Sequence, residues 1–272
     1  MIMITNKKIT DKNSFLKKSS KLFFVSIFGL VSMLCMQGCS KQRKRTDLSA
    51  EELRSKALAY IQKKNYDASV DYLEQLVAKY PDHSQISKYK LLLAESCFKA
   101  GRYPSANQLF EHYNQFYPSD QRAEYAKYKA LLSKFYQTLR TDCDQTETED
   151  TVRICQEYLD NNLYSKYRND VADIKRTCEH KLIDKEIYVF NFYVKQEQYE
   201  SAENRLKHLR KTYLPNNQAL EARLLYLECK LAQKQKNQDK IKESIEKLVA
   251  QYPESQFTHM AQALTTKSPF FF

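Results

Sequence analysis

A chain of 272 residues with only 3 glycines and 6 prolines, no tryptophan, 20 tyrosines and 14 phenylalanines has ample apolar surface for a core and few residues that build tight turns, so a β-rich architecture is disfavoured and helices are expected. The formal charge of +11 points at first to a polyanionic partner, yet residues 1–38 hold six lysines against one aspartate, carry five of those charges and leave +6 for the rest. Over that remainder acids and bases interleave as on solvated helix faces, which argues against nucleic acid as a partner.

The first element in chain order is a secretory segment. Lys7, Lys8, Lys12, Lys17, Lys18 and Lys21 precede an uncharged run from Leu22 to Gly38 that ends at Cys39. Met36-Gln37-Gly38-Cys39 resembles a bacterial lipobox, with a small residue directly before the cysteine. On that reading residues 1–38 are a lipoprotein signal peptide, Cys39 carries a covalent lipid, and residues 39–47, with the basic run Lys41, Arg43, Lys44 and Arg45, form a lipidated tether. Several acyl chains together hold a protein stably on a bilayer where one chain does not. Ser40 stands where an aspartate would favour inner-membrane retention, so the expected address is the periplasmic face of the outer membrane. The alternative is an uncleaved membrane anchor, since 17 uncharged residues lie at the lower edge of spanning length. Both place residues 40–272 outside the cytoplasm.

Internal repetition is the second signal. Tyr72–Pro81, Leu109–Pro118, Leu206–Pro215 and Ser244–Pro253 read alike, the first and last sharing a Glu, a Leu-Val-Ala step and a closing Tyr-Pro. Each is an amphipathic helix stopped by proline, which removes a backbone donor and clashes with the preceding turn. Upstream of each lies a short turn: Lys64-Asn65-Tyr66, Gly101-Arg102-Tyr103, Glu197-Gln198-Tyr199 and Lys236-Asn237-Gln238. Another helix precedes each turn. The order of helix, turn with aromatic, second helix and closing proline resembles the tetratricopeptide pattern. Small residues are needed where paired helices cross closely; Ala57, Ala94 and Ala106 fit, whereas Ser69 and Phe190 depart from the pattern.

The reading is all-α, a tetratricopeptide-repeat solenoid of about five helix hairpins over residues 48–264. Pairs are expected near 49–80, 85–117, 122–162, 168–214 and 218–252. The N-terminal repeats thus occupy about 49–118, an irregular third about 122–162, and the C-terminal repeats about 168–253. In the third, the run from Thr141 to Asp150 is too acidic and polar for a core and is expected to split the two helices with a long loop. Residues 265–272 form an aromatic tail closing on Phe270 to Phe272, a frayed end or a docking plug.

Cys97 and Cys229 fall on core positions of helices, leaving Cys143, Cys155 and Cys178 as candidates for one bridge. His83, His112, His180, His208 and His259 are scattered without HExxH spacing, and Gly101 is the sole glycine of the repeat region, so no metal site and no phosphate loop is expected. The lipid on Cys39 is the one non-protein group expected, and a binding role rather than catalysis.

The five-repeat length, lipid site, interrupted third repeat and long fourth hairpin resemble the BamD family, lipoproteins of the outer-membrane β-barrel assembly complex. The resemblance is best through Tyr167-Arg168-Asn169-Asp170 and from Lys181 through Tyr193 to Leu206. It implies an assembly scaffold whose partners are an Omp85-type barrel subunit, engaged through its last POTRA domain, unfolded outer-membrane proteins, and accessory lipoproteins. In the family an arginine in the matching Asn-Arg-hydrophobic step pairs with a POTRA carboxylate; here that position is Arg205, and a planar guanidinium fork suits the task. The N-terminal repeats of the family receive unfolded barrel proteins through an aromatic C-terminal signal. Stacked hairpins independently offer a groove lined by their first helices. In this register Arg54, Leu58, Ile61, Leu91, Glu95 and Phe98 face it, apolar groups beside fixed charges that suit an extended peptide. The alternative is a generic envelope repeat lipoprotein that organises peptidoglycan or cell-division proteins.

Overall fold

The computed structural model describes residues 48–266; the secretory segment, Cys39, the rest of the 39–47 tether and Phe270 to Phe272 lie outside the described residues. Among those described, eleven α-helices follow one another without a strand: α1 (Ala50–Gln62), α2 (Tyr66–Lys79), α3 (Ile86–Lys99), α4 (Tyr103–Phe116), α5 (Ala123–Phe135), α6 (Thr146–Asp160), α7 (Arg168–Lys195), α8 (Tyr199–Thr212), α9 (Leu220–Lys234), α10 (Gln238–Gln251) and α11 (Gln256–Thr266). Each helix packs on the next along the chain, as the all-α repeat reading requires.

The turns inside the hairpins are copies of one device. Lys64, Gly101, Glu197 and Lys236 all adopt positive φ, at 57°, 77°, 59° and 57°. At each, the following residue donates its N–H back five positions: Asn65 to Tyr60, Arg102 to Cys97, Gln198 to Tyr193 and Asn237 to Ala232, at 2.9 to 3.0 Å. That is a Schellman closure, which satisfies carbonyls orphaned at a helix end. A left-handed conformation costs a non-glycine residue about 1–2 kcal/mol, and only Gly101 escapes it. Asn65 and Asn237 then cap the outgoing helix by accepting from the N–H of Ala68 and Lys240.

The prolines end the second helices as expected, and the residue before each proline shows how. Tyr80, Tyr117 and Tyr252 close α2, α4 and α10 at nearly the same backbone angles, φ −125° to −137° and ψ 52° to 59°. A following proline excludes the helical region for its predecessor. At the end of α8 one more residue, Leu214, separates Tyr213 from Pro215, and Tyr213 stays in the helical region at φ −109°, ψ −30°.

Ala57, Ala94 and Ala106 are fully buried, as their small size at helix crossings predicts. Ser69 is equally buried and shares a 3.3 Å hydrogen bond with Ser96 of α3, so its hydroxyl is satisfied rather than stranded. Phe190 lies at the centre of a core built by α7, α8 and α9 with Ile187, Leu206, Leu209 and Leu224.

The two helices of the third pair are split by a long connection, residues 136–145, as expected. The acidic run is only partly loop, however: α6 begins at Thr146, where Glu147 and Glu149 in its first turn suit the positive end of a helix. Nor is the run wholly excluded from the interior. Gln145 and Thr148 within it, and Thr151 just after it, are buried because their polar groups are used: Gln145 donates to the Arg140 and Cys143 carbonyls and accepts from Thr148, while Thr151 donates to the Glu147 carbonyl. The second helix of this pair also packs chiefly on the first half of α7 rather than on α5. The 28-residue α7 therefore serves two cores, Val171, Ile174 and Cys178 facing α6, and Ile183, Ile187, Phe190 and Val194 facing α8 and α9. After the fifth pair, α11 adds a closing helix that packs through Phe257, Ala261 and Leu264 against α9 and α10.

Candidate functional site on the first helices of the pairs

The first helices of successive pairs meet through side chains. Phe98 of α3 lies 5.7 Å from Tyr136 at the end of α5, Lys181 of α7 donates to Thr138 just beyond α5 at 2.6 Å, and Arg223 and Lys230 of α9 reach Asp184 and Asn191 of α7 at 2.8 Å. These contacts make one continuous face from α3 to α9.

Its centre is an aromatic and cationic cluster. The Lys129 ammonium sits 3.2 Å from the centroid of the Phe98 ring. Phe98, Tyr103 and Tyr136 lie mutually within 4.9 to 5.7 Å, with Tyr103 and Tyr136 stacked. Burial lowers the Lys129 pKa to about 8, partly countered by the field of Glu95. Glu95 is itself engaged by Tyr125, whose phenol is pushed up by burial and by that carboxylate. Lysine over a ring face is attracted by the ring quadrupole, which compensates part of the lost hydration.

The six residues assigned to a peptide groove divide. Glu95 and Phe98 belong to this cluster. Leu91 is only 6% exposed and is a packing residue, a correction to its expected place on an open surface; the tight crossings around Ala94 take its side chain into the interior. Leu58 and Ile61 on α1 are half-buried, and Arg54 is exposed and pairs with Glu51 one turn earlier at 3.2 Å. Lys129, Tyr125 and Tyr136 were absent from the expected groove. Their signal is the spacing Tyr125, Lys129 and Leu132 on α5 with Tyr136 at its C-cap, still at helical backbone angles, which puts all four on one helical face.

Arg205 sits on α8. Its guanidinium donates to Glu186 of α7 at 3.3 Å and lies 6.0 Å from the Tyr193 ring centroid, with 39% of the side chain exposed. The fork is thus held by one carboxylate and one ring while part of it still faces water. A contrasting cleft of about 250 Å³ between α8, α9 and α10 has an apolar floor of Leu206 and Leu231. Its central cation, Arg210, is neutralised by Glu221 and Glu228 at 2.6 and 2.8 Å.

The described cysteines are free thiols: Cys143 is exposed, and Cys97, Cys155, Cys178 and Cys229 are buried. Cys155 and Cys178 share the core between α6 and α7.

Stacked helical hairpins presenting aromatic rings and fixed charges along one face define a helical-repeat binding scaffold. The chain belongs to the YfiO family of outer membrane lipoproteins, whose model matches residues 46–244. It is 22% identical over 195 residues to the outer membrane protein assembly factor BamD of Rickettsia prowazekii, covering 71% of this chain and 78% of that one. Against the BamD of Caulobacter vibrioides it is 23% identical over 189 residues, covering 67% of this chain and 62% of the relative. Among the described residues no helix is long and apolar enough to cross a membrane.

Proposed function

We propose that this chain is an outer-membrane protein assembly factor: a scaffold, anchored by lipid on Cys39 at the periplasmic face of the outer membrane, that binds an Omp85-type barrel subunit and nascent β-barrel proteins. The observation that carries the reading is family membership across residues 46–244, which spans the hairpins from α1 into α10. The names of both curated relatives support it. The local geometry fits a protein partner at Arg205. Glu186 and Tyr193 fix the direction of the guanidinium before any partner arrives, so less side-chain entropy is lost when a carboxylate docks. The face around Glu95 and Phe98 suits an extended, aromatic-bearing peptide. The proposed role uses binding surfaces alone, with no cofactor beyond the lipid.

The test is copurification. Capture of the chain from detergent-solubilised membranes is expected to recover an Omp85-type protein, and Arg205→Glu to reduce that recovery by at least tenfold, a loss of about 1.4 kcal/mol or more. Undiminished recovery with Arg205→Glu would remove Arg205 from the interface. Recovery of peptidoglycan or division enzymes in place of the barrel protein would favour the alternative role. Mass spectrometry of the mature N-terminus, showing an acylated Cys39, tests the anchor.

A further inference from the structure

The candidate face continues from the Phe98 cluster to where the third and fourth pairs meet. Many cations on the described helices have carboxylate partners: Lys127 with Glu111, Lys134 with Glu147, Arg153 with Glu157, Lys175 with Glu179 and Arg210 with Glu221 are examples. Lys129, Lys181 and Lys185 are held differently. Among the described residues none of the three has a carboxylate within salt-bridge distance. Lys129 lies on the Phe98 ring, Lys181 donates to Thr138 at 2.6 Å and lies 5.3 Å from the Phe135 centroid, and Lys185 donates to the Cys143 carbonyl at 3.2 Å beside the Tyr188 ring. All three are half-buried, so each charge has been drawn partly out of water with no carboxylate in ion-pair contact, although the fields of Glu95 and Asp144 reach Lys129 and Lys185. Three large side chains of the same segments are left open: Tyr136, Leu139 and Tyr188, at 50%, 51% and 53% exposure. Ring contacts join Lys129 to Lys181, since Lys129 touches Phe98, Phe98 touches Tyr136, Tyr136 touches Phe135, and Phe135 underlies Lys181; Lys185, one turn further along α7, lies beside the Tyr188 ring.

We infer that this patch, at the end of α5, the loop after it and the middle of α7, is a docking site for an acidic polypeptide segment with interspersed aromatic or aliphatic side chains. Charge complementarity names the occupant. Ammoniums held beside rings, with no carboxylate in ion-pair contact, receive carboxylates, and the open tyrosines and leucine receive apolar side chains spaced between them. Residues 1–47 carry ten basic side chains against Asp11 and Asp47, so they match the patch in sign rather than complement it. The occupant proposed is a separate, acidic polypeptide. The inference stands on this charge pattern and is independent of whether Arg205 engages a barrel subunit.

The experiment uses the full chain in a non-ionic detergent and measures fluorescence anisotropy with a short labelled peptide of alternating Glu and Tyr. Binding is expected, weakening as salt rises, because partly exposed charge pairs are screened. The triple substitution Lys129→Gln, Lys181→Gln and Lys185→Gln should weaken it by about tenfold or more, at up to about fivefold per partly exposed pair. The corresponding triple Lys→Arg variant, which keeps the charge, should bind within a few fold of wild type, and circular dichroism checks that both variants remain helical. Equal affinity for a peptide of alternating Lys and Tyr, unchanged binding by the Gln variant, or no binding of the Glu-Tyr peptide would each overturn the proposal. So would capture of phosphatidylglycerol-containing vesicles with no peptide binding, which would make the patch a lipid-headgroup surface instead.

Discussion

Removing the Glu124 carboxylate should loosen the connection between α6 and α7. A single oxygen, Oε1, accepts from the Tyr158 hydroxyl at 2.8 Å and from the backbone N–H of Ser165 and Lys166 at 2.8 and 2.7 Å. On the other side of the loop, Arg168 donates to the carbonyls of Leu159, Asn161 and Tyr164. In Glu124→Ala the two exposed backbone donors regain water, but the hydroxyl of fully buried Tyr158 loses its acceptor, a cost of about 1–3 kcal/mol; with lost charge assistance the total is about 2–3 kcal/mol. Glu124→Gln keeps an oxygen in place and should cost about 1 kcal/mol. Burial alone would raise the Glu124 pKa, but the hydrogen bonds from Tyr158, Lys166 and Ser165 outweigh it and hold the carboxyl below its ordinary value. A depressed carboxylate pKa contributes stability that is present above the unfolded value and is lost as pH falls through the folded one, so both variants should converge on wild type in acid. Urea unfolding gives the energies, and native-state hydrogen exchange of Leu163 to Tyr167 gives the local effect. If Glu124→Ala stays within about 0.5 kcal/mol of wild type and those amides exchange no faster, the idea that Glu124 organises the loop is wrong.

The left-handed turns make a matched set. Lys64→Gly, Glu197→Gly and Lys236→Gly should each stabilise by about 0.5–1 kcal/mol, relief of the strained φ exceeding the added freedom of the unfolded chain, while Gly101→Ala should destabilise by about 1 kcal/mol; thermal melts of the four variants check the signs. A Cβ at Gly101 would meet nothing within 4 Å, so any cost there comes from the backbone angle and not from crowding. Lys129→Met should raise stability at pH 7 by about 1 kcal/mol, a figure discounted for partial exposure and for the attraction of the Phe98 ring. Because burial lowers the folded pKa of Lys129, the unfolded chain binds the extra proton between pH 8 and 10.5; wild-type stability climbs through that window and the advantage of Met shrinks, which melts at pH 7 and pH 10 will show. Phe190→Ala should cost about 3–5 kcal/mol and separate the unfolding of α7 to α9 from the rest in urea.

The hairpin register was legible because its punctuation is chemical. Proline forbids the helical angle to the residue before it, and the Tyr-Pro steps at 80–81, 117–118 and 252–253 carry that prohibition in plain view. Three of the turns carry an aromatic residue in the sequence, at Tyr66, Tyr103 and Tyr199, but the shared left-handed angle was hidden, since Lys64, Glu197 and Lys236 are not residues that advertise it. The third pair was misread in part because polarity was equated with exposure. Gln145, Thr148 and Thr151 satisfy one another and nearby carbonyls, a geometry that local composition does not encode. The groove was half found for a related reason. Repeat register identified which helices line the face, yet it could not show that Leu91 turns inward while Lys129 comes from the next pair to cover Phe98.

The five described thiols carry a practical consequence. Burial raises Cys97, Cys178 and Cys229 to about 11 and Cys155 to about 12, so almost none of these sulfurs is a thiolate near neutrality, and none meets solvent. Cys143 alone is open to an alkylating reagent. Maleimide therefore writes a single mark on the folded repeats, and every further mark acquired over time dates the opening of a particular stretch of the stack. Because the four hidden sulfurs sit on α3, α6, α7 and α9, the order in which they react would read out, end to end, the sequence in which the stack comes apart.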